Sequence, residues 1–581
     1  MTPASTRHSS FPGNALPGPI PDTLPGTADL DNPLYYLENF ETVVQWVRQH
    51  HSDLLTTGET GQIDSLMALN QPARALLARL VMRTGALFRV EKLRYPELGV
   101  PVEAAANALV RCSFIENNPK ILLAELFRLF TLAELRPALA DQMAANGLPA
   151  SASKGRLKDT LIPLNPDPAP VNHWLPGIPT QVIRLNHMDL FDRLRLMFFG
   201  NLRQSWSDFV LVELGHQQYE QVPLSAQSRA FDERDDVDRF LVMHRCRERL
   251  DAGESPETVW QDLPPANANA WLESRRGRLL FELGKRAERG GNTGLALSAY
   301  EHSGHREARL RQLRLLERLR RHREAWDLAV TASDGPRFGA EERGLERILS
   351  RLARKLGEAA PRATARPALR AFTLELDNPE GHSVEWVALQ HLTDSQAPVA
   401  YVENTLINGL FGLLCWRALF APVAGAFFHP FQAGPVDLYR EDFVERRQAL
   451  FEDCLGALAS DDYRTRIRNT WRQKQGIASP FVIWPVLPED LMELALECIP
   501  AHHLGLIFRR LLANLREHRS GFPDLIRFQP GHTDPNRRYE MIEVKGPGDR
   551  LQDHQTRWLE FCVSHDIPVS VCYVRWTGTA G

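Results

Sequence analysis

Apolar residues recur every three to four positions through much of the first 360 residues of the chain. The segments LENFETVVQWV, LARLVMRTGALF and ILLAELFRLF show this spacing near the N-terminus, and successive segments from Ala270 to Leu356 show it again. An α-helix turns once in 3.6 residues, so this spacing puts the apolar side chains on one helix face. The pattern predicts a mainly α-helical protein over this part of the chain.

The pattern changes after the prolines Pro361 and Pro367. The segment AFTLELDN alternates between apolar and polar positions, as a strand does, and a long apolar segment, VENTLINGLFGLLCWRALF, predicts a helix. Three further segments, DLIRF, YEMIEV and PVSVCYVRW, have the composition of short strands. Strands flanked by helices predict a mixed α/β domain over residues 365–581.

A chain of 581 residues exceeds what one hydrophobic core normally organises, so several domains are expected. Residues 1–30 are rich in Pro, Gly, Ser and Thr and predict a disordered leader, and the proline-rich stretch at 162–179 predicts a linker. The expected division is a leader (1–30), a helical region (31–179), a helical connecting region (180–265), helical repeats (266–360) and the α/β domain (365–581).

Residues 131–162 of the first helical region predict two helices joined by a Gly-Leu-Pro turn, the second beginning near Ser151 or Ser153. This layout resembles a SAP motif, a small DNA-binding helical pair, although a plain amphipathic hairpin explains the same residues. The matching positions are Leu132, Leu135, Leu139, Gly147, Leu148, Lys154, Leu157, Leu161 and Ile162. Lys154, Arg156 and Lys158 at the start of the second helix favour phosphate contact and are predicted DNA-binding residues.

The segments between residues 270 and 356 predict successive helical hairpins that resemble tetratricopeptide repeats of irregular period. One of these helices interleaves a leucine stripe with arginines. The arginines are Arg306, Arg309, Arg311, Arg314, Arg318, Arg320, Arg321 and Arg323. A charged helix face is usually just a solvated one, but so many arginines among few acids favour phosphate binding. The predicted DNA contacts among them are Arg306, Arg309, Arg314 and Arg321.

The overall composition indicates the class of protein but says little about its function. Hydrophobic residues at 43% and charged residues at 24% are ordinary for a globular protein, and no apolar run approaches the roughly 20 residues of a membrane span, so a cytoplasmic protein is expected. Seven cysteines without a CxxC pair predict neither disulfides nor a zinc site. A net charge of −4 neither favours nor excludes nucleic acid, because binding needs only a local basic face.

The residues with the strongest chemical signal lie between Gly521 and Phe561. Asp524 precedes one predicted strand, and Glu543 and Lys545 lie on the next, after a turn rich in Pro and Gly. Strand side chains alternate, so Glu543 and Lys545 point to the same face, and a hairpin can bring Asp524 beside them. Two converging carboxylates favour a hard divalent cation such as Mg²⁺ or Mn²⁺, and a neighbouring lysine suits hydrolysis of a phosphodiester.

A structural explanation competes with this one, because Asp524 could be a turn residue and Glu543 with Lys545 an exposed ion pair on an edge strand. Three features count against it. The two pieces lie one hairpin apart, the chain has only eight lysines, and a glycine turn at Gly546 and Gly548 follows where a substrate backbone could approach.

The sequence PD, followed by EVKGPGDRL and then by Gln555 and Trp558, resembles the virus-type replication-repair nuclease domain of the PD-(D/E)xK superfamily. The longer resemblance is to the Fanconi-associated nuclease family, and it extends upstream through FQAGPVDLY to VENTLINGLFGLLCW. It implies a multidomain, mainly α protein with a SAP-like DNA-binding region, a helical-repeat middle and a C-terminal restriction-endonuclease-like nuclease domain. We therefore expect a bacterial-type short form of this family, located in the cytoplasm at the nucleoid.

The resemblance also implies roles for individual residues. Glu403, Asp524 and Glu543 would be metal ligands, with Glu403 carried by a helix, and the carbonyl of Val544 would be a further ligand. Lys545 would be the catalytic lysine. Gln555 would support the active site from the following helix.

The activity implied is that of a Mg²⁺- or Mn²⁺-dependent 5′-flap endonuclease and 5′ to 3′ exonuclease acting on branched DNA in interstrand crosslink repair. No Cys/His cluster matches the ubiquitin-binding zinc finger of animal members. A non-catalytic DNA-binding scaffold and a phosphodiesterase acting on RNA or other nucleotides remain alternatives. Retention of the complete acid and lysine set counts against the scaffold, whereas only substrate tests separate the phosphodiesterase.

Overall fold

The apolar spacing near the N-terminus forms helices, as predicted. A computed structural model describes residues 32–204, 206, 218–225, 228–334, 339–359, 366–379 and 381–577, so the leader predicted for residues 1–30 lies outside the described residues. The chain divides into two compact units, residues 1–217 with 225–237 and residues 218–224 with 238–581. The helices of the first unit are α1 (Tyr35–His50), α2 (Thr57–Met67), α3 (Gln71–Val81), α4 (Val102–Arg111), α5 (Leu123–Leu129), α6 (Leu132–Ala138), α7 (Ala140–Ala145), α8 (Lys154–Leu161), α9 (Val171–Trp174) and α10 (Met188–Phe199).

Short strands in the first unit were not predicted from the sequence. β1 (Leu87–Arg89), β5 (Val182–Leu185) and β2 (Ile115–Asn117) form an antiparallel sheet in that order. A further antiparallel pair consists of β3 (Lys120–Ile121) and β4 (Ala169–Pro170). Strands of two to four residues are too short to display an alternating pattern, so their sequence carries no readable signal.

The SAP-like hairpin is present, although the helix predicted before its turn is divided at Leu139 into α6 and α7. The helix after the turn begins after Ser153, whose hydroxyl accepts a hydrogen bond from the backbone N–H of Arg156 at 3.3 Å. The stretch predicted as a linker at 162–179 is instead part of this core, and the linker prediction is wrong. Trp174 is buried there, and its indole N–H donates to the carbonyl of Ile121 at 3.0 Å. The prolines are compatible with packing because Pro170 precedes the first turn of α9, where an N–H is not needed.

The helical middle belongs mainly to the second unit. Its helices are α11 (Arg234–Asp251), which crosses the division between the units, α12 (Pro256–Gln261), α13 (Ala270–Arg289), α14 (Thr293–Glu301), α15 (Ala308–Arg318), α16 (His322–Asp334) and α17 (Gly339–Leu356). From α13 to α17 each helix packs on the next, as the repeat pattern predicts. α13 approaches α14 closely at Gly284, where a Cβ atom would lie 2.7 Å from the ring of Tyr300.

A five-stranded sheet organises the C-terminal part of the second unit, in the order β6 (Ala371–Leu376), β10 (Val569–Trp576), β9 (Tyr539–Lys545), β8 (Leu525–Phe528) and β7 (Val399–Tyr401). β10 pairs in parallel with β6 and β9, whereas β8 pairs antiparallel with β9 and β7. The mixed α/β domain predicted from the sequence is therefore present, and β9 lies in the centre of the sheet.

The helices around this sheet are α18 (Val384–Leu392), α19 (Leu406–Leu414), α20 (Trp416–Leu419), α21 (Gln448–Gly456), α22 (Asp462–Gln473), α23 (Glu489–Cys498), α24 (Ala501–Ala513), α25 (Leu515–His518) and α26 (Asp553–Ser564). The long apolar helix predicted after residue 402 is broken at Cys415 into α19 and α20. Among the described residues no single helix is long and apolar enough to cross a membrane, and one bent pair, α23 with α24, meets the criteria of length and composition only.

Candidate active site

The hairpin of β8 and β9 brings Asp524 beside Glu543 and Lys545, as the sequence predicts. Leu525 pairs with Ile542, so Asp524 at the start of β8 lies level with the end of β9. The Oδ2 atom of Asp524 accepts a hydrogen bond from the backbone N–H of Val544 at 2.8 Å. This bond ties the first acid to the strand that carries the second acid and the lysine.

Glu543 and Lys545 share a face of β9, and the Nζ atom of Lys545 lies 2.5 Å from Oε1 of Glu543. Their pairing is not an exposed surface ion pair on an edge strand, because β9 is central and the exposed fractions are 0% for Glu543 and 8% for Lys545. Asp524 is also buried, at 6%. Ionisable side chains are rarely buried in this way without a partner or a function.

Burial raises the pKa of Asp524 to about 6, and the charges of Glu403 and Glu385 act in the same direction. Burial and then the neighbouring charge of Asp524 raise the pKa of Glu543 to about 7, against the opposing effect of Lys545. Two carboxylates that disfavour each other's ionisation carry more negative charge at neutral pH than one lysine balances. A cation bound between the two carboxylates would therefore neutralise the excess negative charge of the site.

Glu403 lies next to this pair, although it is not carried by a helix as the resemblance implied. It occupies a turn between β7 and α19, and the following Asn404 has a φ of +52°, which no α-helix contains. The hydroxyl of Tyr401 donates to Oε2 of Glu403 at 2.6 Å, and the side-chain amide of Asn404 donates to Oε1 at 3.1 Å. The carboxylate is thus oriented by two neighbours before any ligand arrives.

The donor set fits a divalent cation in its chemistry. Oxygen ligands from Asp524 and Glu543 are the kind that Mg²⁺ and Mn²⁺ prefer, and Oε2 of Glu543 is buried without a hydrogen-bond partner. In the described part of the chain no three His, Cys, Asp or Glu side chains are already grouped closely enough to hold one ion. Glu403, whose charge acts on both acids, would be the third carboxylate of the set.

Several residues around the acids were not identified from the sequence. Tyr401 and Asn404 have no motif of their own, and Glu385 lies on a separate helix, α18. His554 packs against Gly521, where an added Cβ atom would lie 2.7 Å from the imidazole ring. Burial lowers the pKa of His554; of the nearby charges, Glu403 raises this pKa and Lys545 lowers it. Only the fold brings these residues together, since their separations along the chain vary widely.

Gln555 remains a predicted supporting residue. Its side-chain oxygen accepts from the backbone N–H of Gln552 at 2.9 Å, which caps the start of α26. The backbone carbonyl of Val544 likewise remains a predicted ligand. α26 is fixed to the helical middle by ion pairs of Arg343 with Glu560 and of Arg347 with Asp553.

The predicted DNA-binding residues differ in how available they are. In the SAP-like hairpin, the ammonium of Lys154 donates to the carbonyl of Phe130 at 2.9 Å, Arg156 is exposed and Lys158 is half-buried. In the helical middle, Arg309 pairs with Glu341 at 2.7 Å, and Arg321 pairs with Glu324 at 2.6 Å. These ion pairs make Arg309 and Arg321 weaker candidates for phosphate contact than Arg306 and Arg314.

Arg306 belongs to an arginine cluster with Arg278 and Arg516, which the sequence did not reveal because its members lie far apart in the chain. Burial lowers the pKa of Arg516, and the positive charges of Arg306 and Arg278 lower it further. The same three arginines, together with burial, lower the pKa of His305. The positive charges of these three arginines act on one another, and a negatively charged ligand would relieve their repulsion.

Three known domain families match parts of the chain. They are the VRR-NUC domain over residues 458–576, the FAN1 HTH domain over residues 34–116 and the Fanconi anemia-associated nuclease SAP domain over residues 121–174. The VRR-NUC match contains Asp524, Glu543 and Lys545. The SAP match contains the helical hairpin that the sequence predicts and extends to residue 174, within the stretch predicted as a linker.

Relatives match nearly the whole chain. The chain is 46% identical over 560 residues to a Fanconi-associated nuclease 1 homologue of Pseudomonas aeruginosa, covering 96% of this chain and 98% of the relative. It is 25% identical to a homologue of Arabidopsis thaliana, covering 93% of this chain and 67% of that protein. The crystal structure of paFAN1 bound to DNA with a two-nucleotide 5′ flap and a gap superposes with a TM-score of 0.90 at 46% identity, covering 95% of this chain and all of that one.

Proposed function

Because the chain belongs to the Fanconi-associated nuclease family, we propose that it is a structure-specific nuclease that hydrolyses phosphodiester bonds of branched DNA, with a 5′ flap as its preferred feature. The buried set of Asp524, Glu543 and Lys545 carries this proposal, since two acids and one lysine are arranged for phosphodiester hydrolysis. We include in it the 5′ to 3′ exonuclease activity, the role in interstrand crosslink repair and the location at the nucleoid.

The family depends on a divalent metal, and we propose Mg²⁺ or Mn²⁺ as the ion used here. Asp524 and Glu543 would hold it, together with Glu403 and the carbonyl of Val544. When bound, such an ion activates water and neutralises charge on the phosphate. Hydrolysis then adds water oxygen to phosphorus and breaks the bond to one ester oxygen, which leaves with a proton.

The chain's own residues prepare this step. The ammonium of Lys545, held by Glu543, places a fixed positive charge where negative charge develops on the phosphate. The hydrogen bond from Val544 keeps Asp524 on the same side of the strand. Tyr401 and Asn404 hold the carboxylate of Glu403 by hydrogen bonds to its two oxygens.

The arginine cluster, in the same unit as these acids, supports binding of DNA. Arg516 lies eight residues before Asp524, and Arg278 and Arg306 come from the helical middle of the same unit. We propose that the cluster contacts a backbone phosphate of the substrate. Such contacts position the strand without reading its sequence, which suits a nuclease that recognises DNA shape.

A substrate panel tests the proposal. Purified protein is incubated with Mg²⁺, with Mn²⁺ or with EDTA, and each condition receives 5′-flap DNA, 3′-flap DNA, linear duplex and single-stranded RNA of matched sequence. We expect fastest cleavage of 5′-flap DNA and none in EDTA. Equal cleavage of RNA would favour the broader phosphodiesterase, and DNA binding without cleavage under every metal condition would favour the non-catalytic scaffold.

A further inference from the structure

A pocket of about 330 Å³ opens in the first unit, far along the chain from the acids. Its walls come from the start of α1, the end of α3 and the segment after β1. The lining residues are Tyr35, Tyr36, Asn39, Arg79, Met82, Arg83, Tyr95 and Trp206. Four aromatic rings, two guanidinium groups and one amide are an unusual lining for a crevice between helices, where aliphatic side chains predominate.

The walls are held in place by specific contacts. The guanidinium of Arg79 lies 3.7 Å from the centre of the Tyr36 ring and 5.5 Å from that of Tyr95. Glu97 fixes this guanidinium by accepting from its Nη2 at 2.7 Å and its Nε at 3.0 Å. The flat groups on this side of the pocket are therefore ordered before a ligand enters.

The second arginine is also held by a contact. The Nη1 atom of Arg83 donates to the hydroxyl of Tyr95 at 3.1 Å, and Arg83 itself is exposed. Tyr35 and Tyr95 are half-buried, so part of each side chain is open to a ligand, whereas Trp206 and Asn39 are buried.

This combination selects the chemistry of the occupant. A planar heteroaromatic ring stacks on tyrosine and arginine faces. A phosphate attached to the same ligand would meet the exposed Arg83. An aliphatic side chain would displace water from the guanidinium groups and the tyrosine hydroxyls without offering a hydrogen bond in return, which costs free energy. A nucleobase with its phosphate matches the lining, and an apolar peptide does not.

We propose that this pocket binds one unpaired nucleobase of the DNA substrate. The proposal rests on the proposed function, since it gives the first unit the task of holding a base next to a branch while the second unit cuts. Stacking of one base typically strengthens binding of a single strand by about 5- to 160-fold. The pocket would thus favour DNA with unpaired bases over continuous duplex.

The full chain carrying Asp524→Asn, kept in EDTA so that DNA stays intact, is titrated into flap DNA with the fluorescent base 2-aminopurine at each unpaired position in turn. Stacking quenches this fluorophore. We expect strong quenching at one position, loss of that quenching in Tyr35→Ala and Tyr95→Ala, and at least about fivefold weaker binding in both. Tyr35→Phe and Tyr95→Phe keep their rings and should keep the quenching.

Arg94→Ala is the matched control, because Arg94 is exposed, adjoins Tyr95 and does not line the pocket. It should leave the quenching unchanged, and circular dichroism checks that the alanine variants stay folded. Quenching that persists in folded Tyr35→Ala and Tyr95→Ala overturns the proposal. The proposal is also overturned if the protein quenches free 2-aminopurine nucleotide but quenches 2-aminopurine at no position of the flap DNA. Cleavage by the unmodified chain, measured separately, reports on the proposed function and is independent of either result.

Discussion

Glu543→Gln should stabilise the metal-free protein at alkaline pH even though it destroys the metal site. Ionised Glu543 is buried among Asp524 and Glu403, and its pKa is raised from 4.5 to about 7. A shift of one pKa unit corresponds to about 1.4 kcal/mol, so ionising this side chain costs the folded protein about 3 kcal/mol. A neutral glutamine avoids that cost, and the raised pKa already includes the attraction between Lys545 and the ionised carboxylate. We therefore expect a stabilisation of about 3 kcal/mol at pH 8.

The sign of the pH dependence follows from the direction of the shift. A carboxyl group with a raised folded-state pKa contributes stability that is fully present below its unfolded pKa and is lost as the pH rises through the folded value. In the unmodified protein this loss falls between about pH 4.5 and pH 7 for Glu543. Glu543→Gln should therefore match the unmodified protein near pH 4.5 and exceed it progressively toward pH 8.

Thermal unfolding in EDTA at several pH values measures this difference. A gain of about 3 kcal/mol corresponds to about 4 °C in the midpoint of thermal unfolding for a unit of this size. The control is Glu540→Gln on the same strand, because Glu540 pairs at the surface with the exposed Arg370 at 3.4 Å. A pH-independent change in Glu543→Gln, or a loss of stability at pH 8, would refute the assignment of Glu543 as a buried, repelled carboxylate.

Four other predictions concern activity and binding. Asp524→Ala should abolish cleavage but change the affinity for flap DNA by no more than about twofold, because affinity comes from distributed phosphate contacts. A large loss of affinity would instead show that Asp524 takes part in DNA binding. Lys545→Ala should reduce single-turnover cleavage at least about 100-fold while calorimetry still detects Mn²⁺ binding, and lost Mn²⁺ binding would contradict a role limited to the phosphate. Glu403→Ala should need a higher metal concentration for half-maximal cleavage, whereas an unchanged requirement would remove Glu403 from the ligand set. Arg306→Ala should lower the slope of log affinity against log salt by about 1, whereas Arg323→Ala, with Arg323 paired to Glu358 at 2.7 Å, should not. The single arginine-bearing helix predicted over these residues is divided into α15 and α16, and Arg306 lies in the turn before α15. Equal slopes would make Arg306 an ordinary solvated side chain of that turn.

The sequence was most informative where the signal is local. The hairpin that holds Asp524, Glu543 and Lys545 spans 22 residues, so alternation along its strands predicts which side chains share a face. The helical hairpins of the middle were predicted for the same reason, since each pairs neighbours in the chain. The second helix of the SAP-like hairpin was predicted to begin near Ser151 or Ser153, and Ser153 is the cap.

Features that depend on distant segments were missed or misplaced. The arginine cluster joins residues from 278 to 516, and no periodicity connects them. The linker predicted at 162–179 packs into a core because a buried Trp174 and a proline-led turn offset its loop-like composition. The prediction that Glu403 lies on a helix was wrong, because the left-handed backbone conformation of Asn404 separates Glu403 from the helix that begins at Leu406. Local composition cannot distinguish these cases, since long-range contacts decide them.

Diffraction from crystals of the full chain grown with 5′-flap DNA and soaked in Mn²⁺ tests the central claim most directly, because anomalous scattering locates the metal without reference to activity. The account predicts a Mn²⁺ peak bound by Asp524 and Glu543, with Lys545 beside the scissile phosphate, and no such peak in Glu543→Gln crystals. A chain that cleaves flap DNA in the same buffer but binds Mn²⁺ elsewhere, with these acids facing away from the phosphate, would contradict it.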